Sequence, residues 1–143
     1  MAGREVIEID ESTDFGARVT AHLRDDVAIW MTTVTPKGSP LSSPVWFHWD
    51  GGDSVIMFSQ PGARQRNIEA NPRVSLNFAG NGGGGDIVVL AGRAAIDPPG
   101  EDRVAASLEK YGDHITRIGM TPGPFRERYS VPIRIELTGL RGH

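Results

Sequence analysis

The sequence has no cysteine in its 143 residues. Disulfide bonds, thiolate nucleophiles and cysteine-ligated zinc or iron–sulfur centres are therefore excluded. It also lacks an apolar run of the roughly 18 residues that mark a membrane-spanning helix. Residues 1–14 carry five acidic side chains and no apolar segment, a composition that argues against a signal peptide. We therefore expect a cytoplasmic protein.

The sequence also lacks a large excess of positive or negative charge. Charged residues make up 23% of the chain, the formal net charge is -3, and no basic or acidic tail is present. These values are typical of an ordinary globular protein, so neither nucleic acid nor a membrane is expected as a partner. A chain of this length forms one sizeable core, and we expect a single domain over residues 1–143.

Motifs for metal or hydrolytic chemistry are missing. The four histidines, His22, His48, His114 and His143, include no pair at a helical ligand spacing, so no metal site is predicted. No G-x-S-x-G motif is present, and no catalytic residue can be assigned. His48 lies on a predicted strand where it could face a ligand, although a structural or solvent-facing role is the more usual one for such a residue.

Apolar periodicity predicts a mainly β chain. Helices are expected at about 14–24, 63–70 and within 101–112, and strands at 27–36, 41–50, 54–60, 73–80, 86–97 and 131–140. Short turns join the first three strands, which predicts an antiparallel meander. Gly92, inside a long strand, indicates a bulge. We expect a six-stranded antiparallel barrel with flanking helices.

A glycine-rich run, "GNGGGGD" at 80–86, superficially suggests a dinucleotide-binding loop. It precedes a strand instead of opening a helix, so it fails the context that such a motif requires. A mobile hairpin is the favoured interpretation. If it moves, the loop could act as a flap over a site.

The segment "FSQPGARQRNIEANPRV", residues 58–74, is the best candidate for a binding site. Pro61 and Gly62 precede a short helix, and free N–H groups at a helix start attract anions. Arg64 and Asn67 share a face of an ideal helix, whereas Arg64 and Arg66 are about 200° apart. Both arginines reach one phosphate only if it lies over the helix tip. The alternative is a solvated helix surface.

Residues 32–76 resemble the pyridoxamine 5'-phosphate oxidase-like family of split β-barrel flavin and deazaflavin oxidoreductases. The shared features are the turn at 35–40, S-x-x-x-W-F at 42–47, R-x-R-N-I at 64–68 and N-P-R at 71–73. The chain is most similar to the actinobacterial branch, of the FDOR-B type, that uses coenzyme F420. This resemblance implies an FMN-binding split barrel of Greek-key topology and a homodimer with the cofactor ring near the subunit interface.

The resemblance also implies a set of cofactor-binding residues. Phosphate would be bound by Arg64, Arg66 and Asn67, the approach would be lined by Ser59, Gln60, Pro61, Gly62 and Ala63, and the ring would lie along Ser42, Ser43, Pro44, Val45 and Trp46. The partner subunit could add Arg126, Arg128 and Tyr129, although "PFRERY" could equally be a solvated turn.

The function implied is hydride transfer between reduced F420 and a small conjugated or quinone-like acceptor. Trp46, Phe47 and Trp49 could partly form the acceptor pocket, with core or interface packing as the alternative for each. Two other functions stay open: an FMN-dependent oxidoreductase and a non-catalytic carrier of F420 or flavin. Basic residues near the phosphate would favour the longer anionic tail of F420, and Lys37, Arg73 or Arg128 could supply them.

Overall fold

The computed structural model describes residues 7–143, so the first six residues of the acidic N-terminal segment lie outside the described part. Seven strands and four helices follow one another in this part of the chain. They are α1 (Asp14–Asp25), β1 (Ala28–Val34), β2 (Pro40–Trp46), β3 (His48–Trp49), β4 (Ser54–Ser59), α2 (Ala63–Ala70), β5 (Arg73–Asn77), β6 (Val88–Ile96), α3 (Glu101–Arg117), α4 (Pro122–Arg128) and β7 (Val131–Gly142).

The strands form one antiparallel sheet in the order β2-β1-β5-β6-β7-β4-β3. Its two edge strands, β2 and β3, are separated along the chain by Phe47 alone. The sheet must therefore curl until its edges meet, and β2 and β4 lie side by side without a hydrogen-bond ladder. The predicted split-barrel class is confirmed, and this unpaired boundary between β2 and β4 is called the seam.

The predicted number of six strands is wrong, because residues 41–50 form two strands instead of one. The break is at Phe47, whose N–H donates to the Val27 carbonyl at 3.0 Å and whose carbonyl accepts from Lys110 Nζ at 3.0 Å. Its ring is fully buried in the core. The expected meander is consequently limited to the β1–β2 and β3–β4 pairs.

Alternating side chains of the curled sheet fill the barrel interior. The largest core cluster takes residues such as Ile29, Leu76, Leu90 and Ile135 from four different strands. The register of β6 against β7 shifts between Ala91 and Gly92, which confirms the predicted irregularity at Gly92. One face of each long strand is therefore buried and the other is open to solvent or covered by helices.

Two helices close the ends of the barrel. Helix α1 begins after Thr13, whose hydroxyl accepts from the Gly16 N–H at 2.9 Å, and it buries Val19 and Leu23 in the core. Helix α2 lies between the end of β4 and the start of β5, at the opposite end, and buries Ile68. Both helices were predicted within one residue of these bounds.

Helices α3 and α4 cover the outside of the seam. Helix α3 is longer than predicted and buries Tyr111 and Ile115, and α4 buries Phe125. The Trp46 ring of β2 stacks on Phe125 with centroids 5.5 Å apart and planes at 14°. The sequence predicted only a turn in this region, although Thr121 and Pro122 are typical of a helix start. None of the helices in residues 7–143 is long and apolar enough to cross a membrane.

The glycine-rich loop at 80–86 joins β5 to β6 at the α1 end of the barrel. Its turn is built on Asn81, whose side-chain oxygen accepts from the Gly83 N–H at 2.8 Å and the Gly85 N–H at 3.0 Å. The Asn81 N–H also donates to the Gly85 carbonyl at 3.0 Å, so the side chain and the backbone of one residue organise the turn. Its mobility stays a prediction.

Candidate functional site

A cavity of about 230 Å³ lies over the seam, between the barrel and the helices outside it. We call it the seam cavity. Strands β2 and β4 supply one side, α2 supplies a single cation, and the α3–α4 region supplies the opposite wall. Its lining residues are Pro44, Val45, Trp46, Phe58, Arg64, Ile118, Phe125 and Tyr129.

Arg64 is the charged residue in this lining. Its guanidinium donates to the Ser59 hydroxyl at 2.8 Å and to the Ser43 hydroxyl, so it joins β4 to β2 across the seam. Burial lowers the pKa of the guanidinium, which still leaves it charged. Within the described residues its hydrogen-bond partners are neutral. A half-buried cation held by two hydroxyl groups is suited to meet an anion.

The start of α2 has the backbone features predicted for an anion site. Gly62 adopts φ 154°, in a region that favours glycine, and the helix begins at Ala63 directly after it. No side chain caps the first turn, and no acidic residue lies in it. The N–H groups of this turn can therefore donate to a ligand, and the helix dipole favours a negative charge there.

The structure separates the three residues predicted to bind phosphate. Arg64 lines the seam cavity, Arg66 is exposed on α2, and Asn67 is buried. The Asn67 amide donates to the Thr33 hydroxyl of β1 at 3.2 Å, a contact that holds α2 on the barrel. The phosphate-binding roles of Arg66 and Asn67 stay predictions.

The other predicted site residues lie along one cleft. Pro44, Val45 and Trp46 line the seam cavity, while Ser43 and Ser59 hold Arg64. The Ser42 hydroxyl is directed instead to the Thr32 hydroxyl on the outer face of the sheet. Between β4 and α2, the approach segment is formed by Gln60, Pro61 and Ala63, which are exposed, and Gly62, which is half-buried.

The three aromatic residues expected at an acceptor pocket do not meet there. Trp46 forms part of the cavity wall, but Phe47 is fully buried in the core and Trp49 packs at the edge of the core. The Trp49 indole donates to the Gly52 carbonyl at 2.9 Å. The cause is the break between β2 and β3 at Phe47. Trp46 belongs to one edge strand of the sheet and Trp49 to the other. Core packing, the alternative interpretation, is confirmed for Phe47.

Sequence reasoning missed the helical wall of the cavity. Phe58, Ile118 and Phe125 were not among the predicted site residues, and Tyr129 was assigned only to a partner subunit. Neither Arg126 nor Arg128 is in the cavity lining. Arg126 lies 3.8 Å from Glu101, and both Arg126 and Arg128 are exposed. The Thr121–Pro122 helix start was the signal that could have placed an aromatic face here.

Two other titratable residues beside the barrel do not line the cavity. His48 is half-buried, and burial together with Arg103 and Lys110 lowers its pKa, which favours the neutral ring. Burial lowers the pKa of Lys110 to about 8, and its ammonium lies 3.8 Å from the centroid of the Phe47 ring. No cluster of three metal-ligating side chains occurs in residues 7–143.

Solved structures with the same fold include proteins of different functions. A FAD-binding protein from Mesorhizobium loti is 21% identical, with 87% of this chain and 88% of that chain covered and a TM-score of 0.66. An F420 reductase is 20% identical, with coverages of 85% and 94% and a TM-score of 0.60. The heme storage protein HutZ from Vibrio cholerae is 17% identical, with coverages of 91% and 95% and a TM-score of 0.63.

At these identities the likeness shows the fold alone, and no curated protein sequence matches the chain. The family model described as pyridoxamine 5'-phosphate oxidase, however, matches residues 15–137, which include six of the seven strands and most of the seventh. As its sequence motifs predict, this chain therefore belongs to the pyridoxamine 5'-phosphate oxidase family.

Proposed function

We propose that this protein is an oxidoreductase that binds coenzyme F420 at the seam and transfers a hydride to a small conjugated or quinone-like acceptor. The observation that carries the proposal is Arg64, a half-buried cation at the wall of a cleft that runs along β2. An apolar cleft with one fixed cation suits a flat ring attached to an anionic linker.

The phosphate of the linker would lie over the first turn of α2. Arg64 approaches it from the seam, exposed Arg66 can approach it from the helix surface, and the uncapped N–H groups donate from below. Each charge-assisted hydrogen bond contributes about 1.5 to 3 kcal/mol, so two of them matter to a ligand of micromolar affinity. The donor set therefore fits a phosphate.

The seam cavity is smaller than the proposed cofactor, so part of the cofactor would lie outside it. Pockets that enclose a drug-sized ligand measure roughly 300 to 1,000 Å³, against about 230 Å³ here. A three-ring cofactor with its linker would extend beyond the cavity along β2. We propose that a second copy of the chain completes the site, as the homodimers implied by the family resemblance would allow.

When bound, F420 supplies the hydride at ring carbon C5. The role of the chain is to hold the ring and exclude water. Trp46, fixed by its stack on Phe125, provides a rigid apolar wall, and Arg64 fixes the anionic end. Rate would come from orientation and from a dry site, because the cavity lining contains no carboxylate or histidine to shuttle a proton.

A carrier of F420 or flavin is the second candidate. The lack of an acid–base residue in the cavity lining supports it, and so does the presence of a heme storage protein among the structures that share the fold. An FMN-dependent oxidoreductase is the third. Arg64 does not discriminate between the cofactors, since both carry a phosphate, whereas exposed Lys37, Arg73 and Arg128 could favour the longer anionic tail of F420.

The binding test is a fluorescence titration of the protein with F420, FMN and FAD in parallel. We expect micromolar or tighter binding of F420 and weaker binding of both flavins. Arg64→Ala should weaken F420 binding at least tenfold, about 1.4 kcal/mol, because it removes the half-buried cation. Arg24→Ala, at an exposed position on α1, is the matched control and should bind as the wild type does. An unchanged affinity in Arg64→Ala would refute the site.

Turnover separates the enzyme from the carrier. The protein is loaded with reduced F420 and mixed with each of a panel of quinones and nitro compounds. Oxidation of the coenzyme is followed by absorbance. Oxidation that depends on both protein and acceptor supports the oxidoreductase. Tight binding without oxidation by any acceptor supports the carrier.

A further inference from the structure

The glycine-rich loop at 80–86 is fixed to α1 by its last residue, Asp86. The His22 Nε2 atom lies 2.9 Å from Asp86 Oδ2 and 3.0 Å from Asp86 Oδ1, and the Arg18 guanidinium donates to Oδ1 at 3.1 Å. On the other side of the ring, His22 Nδ1 lies 2.7 Å from Asp26 Oδ2. We call Arg18, His22, Asp26 and Asp86 the loop latch.

The geometry assigns the protonation state of His22. A neutral imidazole has one N–H, so one of its two nitrogens would direct a lone pair at a carboxylate less than 3.1 Å away. Only the imidazolium donates to both carboxylates. The ring is held in this position by Phe78, with centroids 4.8 Å apart and planes at 19°.

The loop needs this fixed point because its ordered form is costly. Asp86 has φ 55°, the left-handed region that residues other than glycine rarely adopt. Four consecutive glycines, residues 82–85, precede it and lose much conformational freedom when the loop is ordered. The contacts of Asp86 with α1 offset these costs.

We propose that His22 is a proton-operated latch: its imidazolium ties the 80–86 loop to α1, and loss of the proton releases the loop. A neutral His22 keeps one N–H bond. The bond to Asp26, four residues along the chain at the end of α1, requires no ordered loop, whereas the bond to Asp86 does. The side-chain contact between α1 and Asp86 is then reduced to the Arg18 ion pair, whose arginine is 36% exposed, and exposed pairs contribute little.

The surrounding groups agree with this direction. Arg18 comes to the ring from α1, Asp26 from the residue that caps the end of this helix, and Asp86 from the loop. The residue after β5, Phe78, is uncharged. The end of β7 is joined to the latch through the His143 carbonyl, which accepts from Arg18 at 3.1 Å. Burial lowers the pKa of His22, but the hydrogen bonds of Asp86 and Asp26 outweigh it, so the pKa is raised above 6.5. The latch is therefore closed below pH 6.5 and opens as the pH rises through the raised pKa.

Hydrogen exchange at pH 5.5 and pH 8.5, corrected for the intrinsic exchange rate, tests the latch on the full chain. We expect protection of the Asn81, Gly83 and Gly85 amides to fall at least tenfold at the higher pH, while amides of β1 do not change. In His22→Gln the loop should be poorly protected at both pH values. His143→Gln, at an exposed histidine beside the latch, should retain the pH dependence.

Two further measurements test the latch even if His22→Gln does not fold. Asp86→Asn tolerates the left-handed backbone but removes the charge, and it should abolish the pH dependence of loop protection. The ¹⁵N shifts of the His22 ring report its protonation directly. Equal loop protection at both pH values in the wild type, or a His22 that loses its proton below pH 6.5, would overturn the proposal. Neither result bears on F420 binding.

Discussion

Gly92 lies at the point where β6 and β7 change register, and its missing side chain makes room for the neighbouring strand. A Cβ atom there would lie 2.5 Å from Ile135 Cγ2 and 3.0 Å from the Glu136 carbonyl oxygen. Ile135 is fully buried and cannot move without disturbing the core. Glycine is thus required at this position, because only its hydrogen side chain lets β7 pack against the bulge.

Gly92→Ala should lower the free energy of unfolding by about 1 to 3 kcal/mol, the usual cost of overpacking a well-packed core. Urea unfolding followed by tryptophan fluorescence measures it. Gly139→Ala is the matched control on the paired strand, because its Cβ would meet Ala91 Cβ at an ordinary 3.5 Å. Equal stabilities of the two variants would contradict this account of the bulge.

At this scale the sequence is informative where a residue type has one physical use. A glycine inside an apolar strand predicted the bulge, and the Pro61–Gly62 pair predicted the start of α2. Asn67 was assigned from the family resemblance and from the helix face that it shares with Arg64, and neither can show that its amide would donate to Thr33 of β1. Contacts between residues distant in the chain carry no local signal.

Among the elements, α4 depends on one side chain. Phe125 is the only residue buried within it, and its ring contacts the rings of Trp46, Tyr111 and Tyr129. A helix of seven residues has no stability of its own in water. Its attachment to the seam is therefore the stacking of the Phe125 ring.

Phe125→Ala should detach α4, because truncation of a buried phenylalanine costs about 3 to 5 kcal/mol. Hydrogen exchange should show lost protection at the amides of Phe125's helix, including Tyr129, whose N–H donates to the residue 125 carbonyl at 2.9 Å. The sheet amides should stay protected. Phe125→Leu keeps most of the apolar volume and serves as the control. Retained protection of α4 in the alanine variant would show that other contacts hold the helix.

The elements themselves were predicted well wherever periodicity and turn residues agree, as in α1, α2, β6 and β7. The division at Phe47 was missed because β2 and β3 read as one apolar stretch. No glycine or proline marks the break, which is made by a backbone donor at Phe47 and a lysine far along the chain. A boundary created by tertiary contacts is not visible in local sequence.

Within residues 7–143, one part of the sheet is left uncovered. On the outer face of β1, Trp30 is 40% exposed. Its neighbours across the sheet are exposed Pro44 on β2 and half-buried Asn77 on β5. An exposed tryptophan on the outer face of a sheet is typical of a protein interface. The family resemblance implies a homodimer, and this face is where we expect the second copy to bind.

Trp30→Glu should convert the proposed homodimer to a monomer, because it replaces an exposed aromatic ring with a charge on the face where the second copy is expected. Sedimentation velocity measures the change, and circular dichroism verifies that the barrel is intact. Trp30→Tyr keeps an aromatic ring and should remain dimeric. A wild-type chain that sediments as a monomer at micromolar concentration would remove the proposed completion of the site by a partner.

The Arg64 guanidinium has two roles. It joins β4 to β2 through its hydrogen bonds to Ser59 and Ser43, and it is also the cation that faces the cavity. Any anion that draws Arg64 toward itself competes with the two hydroxyls that keep β4 beside β2. Anion binding and closure of the barrel would then be thermodynamically coupled, so the distance between β2 and β4 would differ between the free and the anion-bound protein.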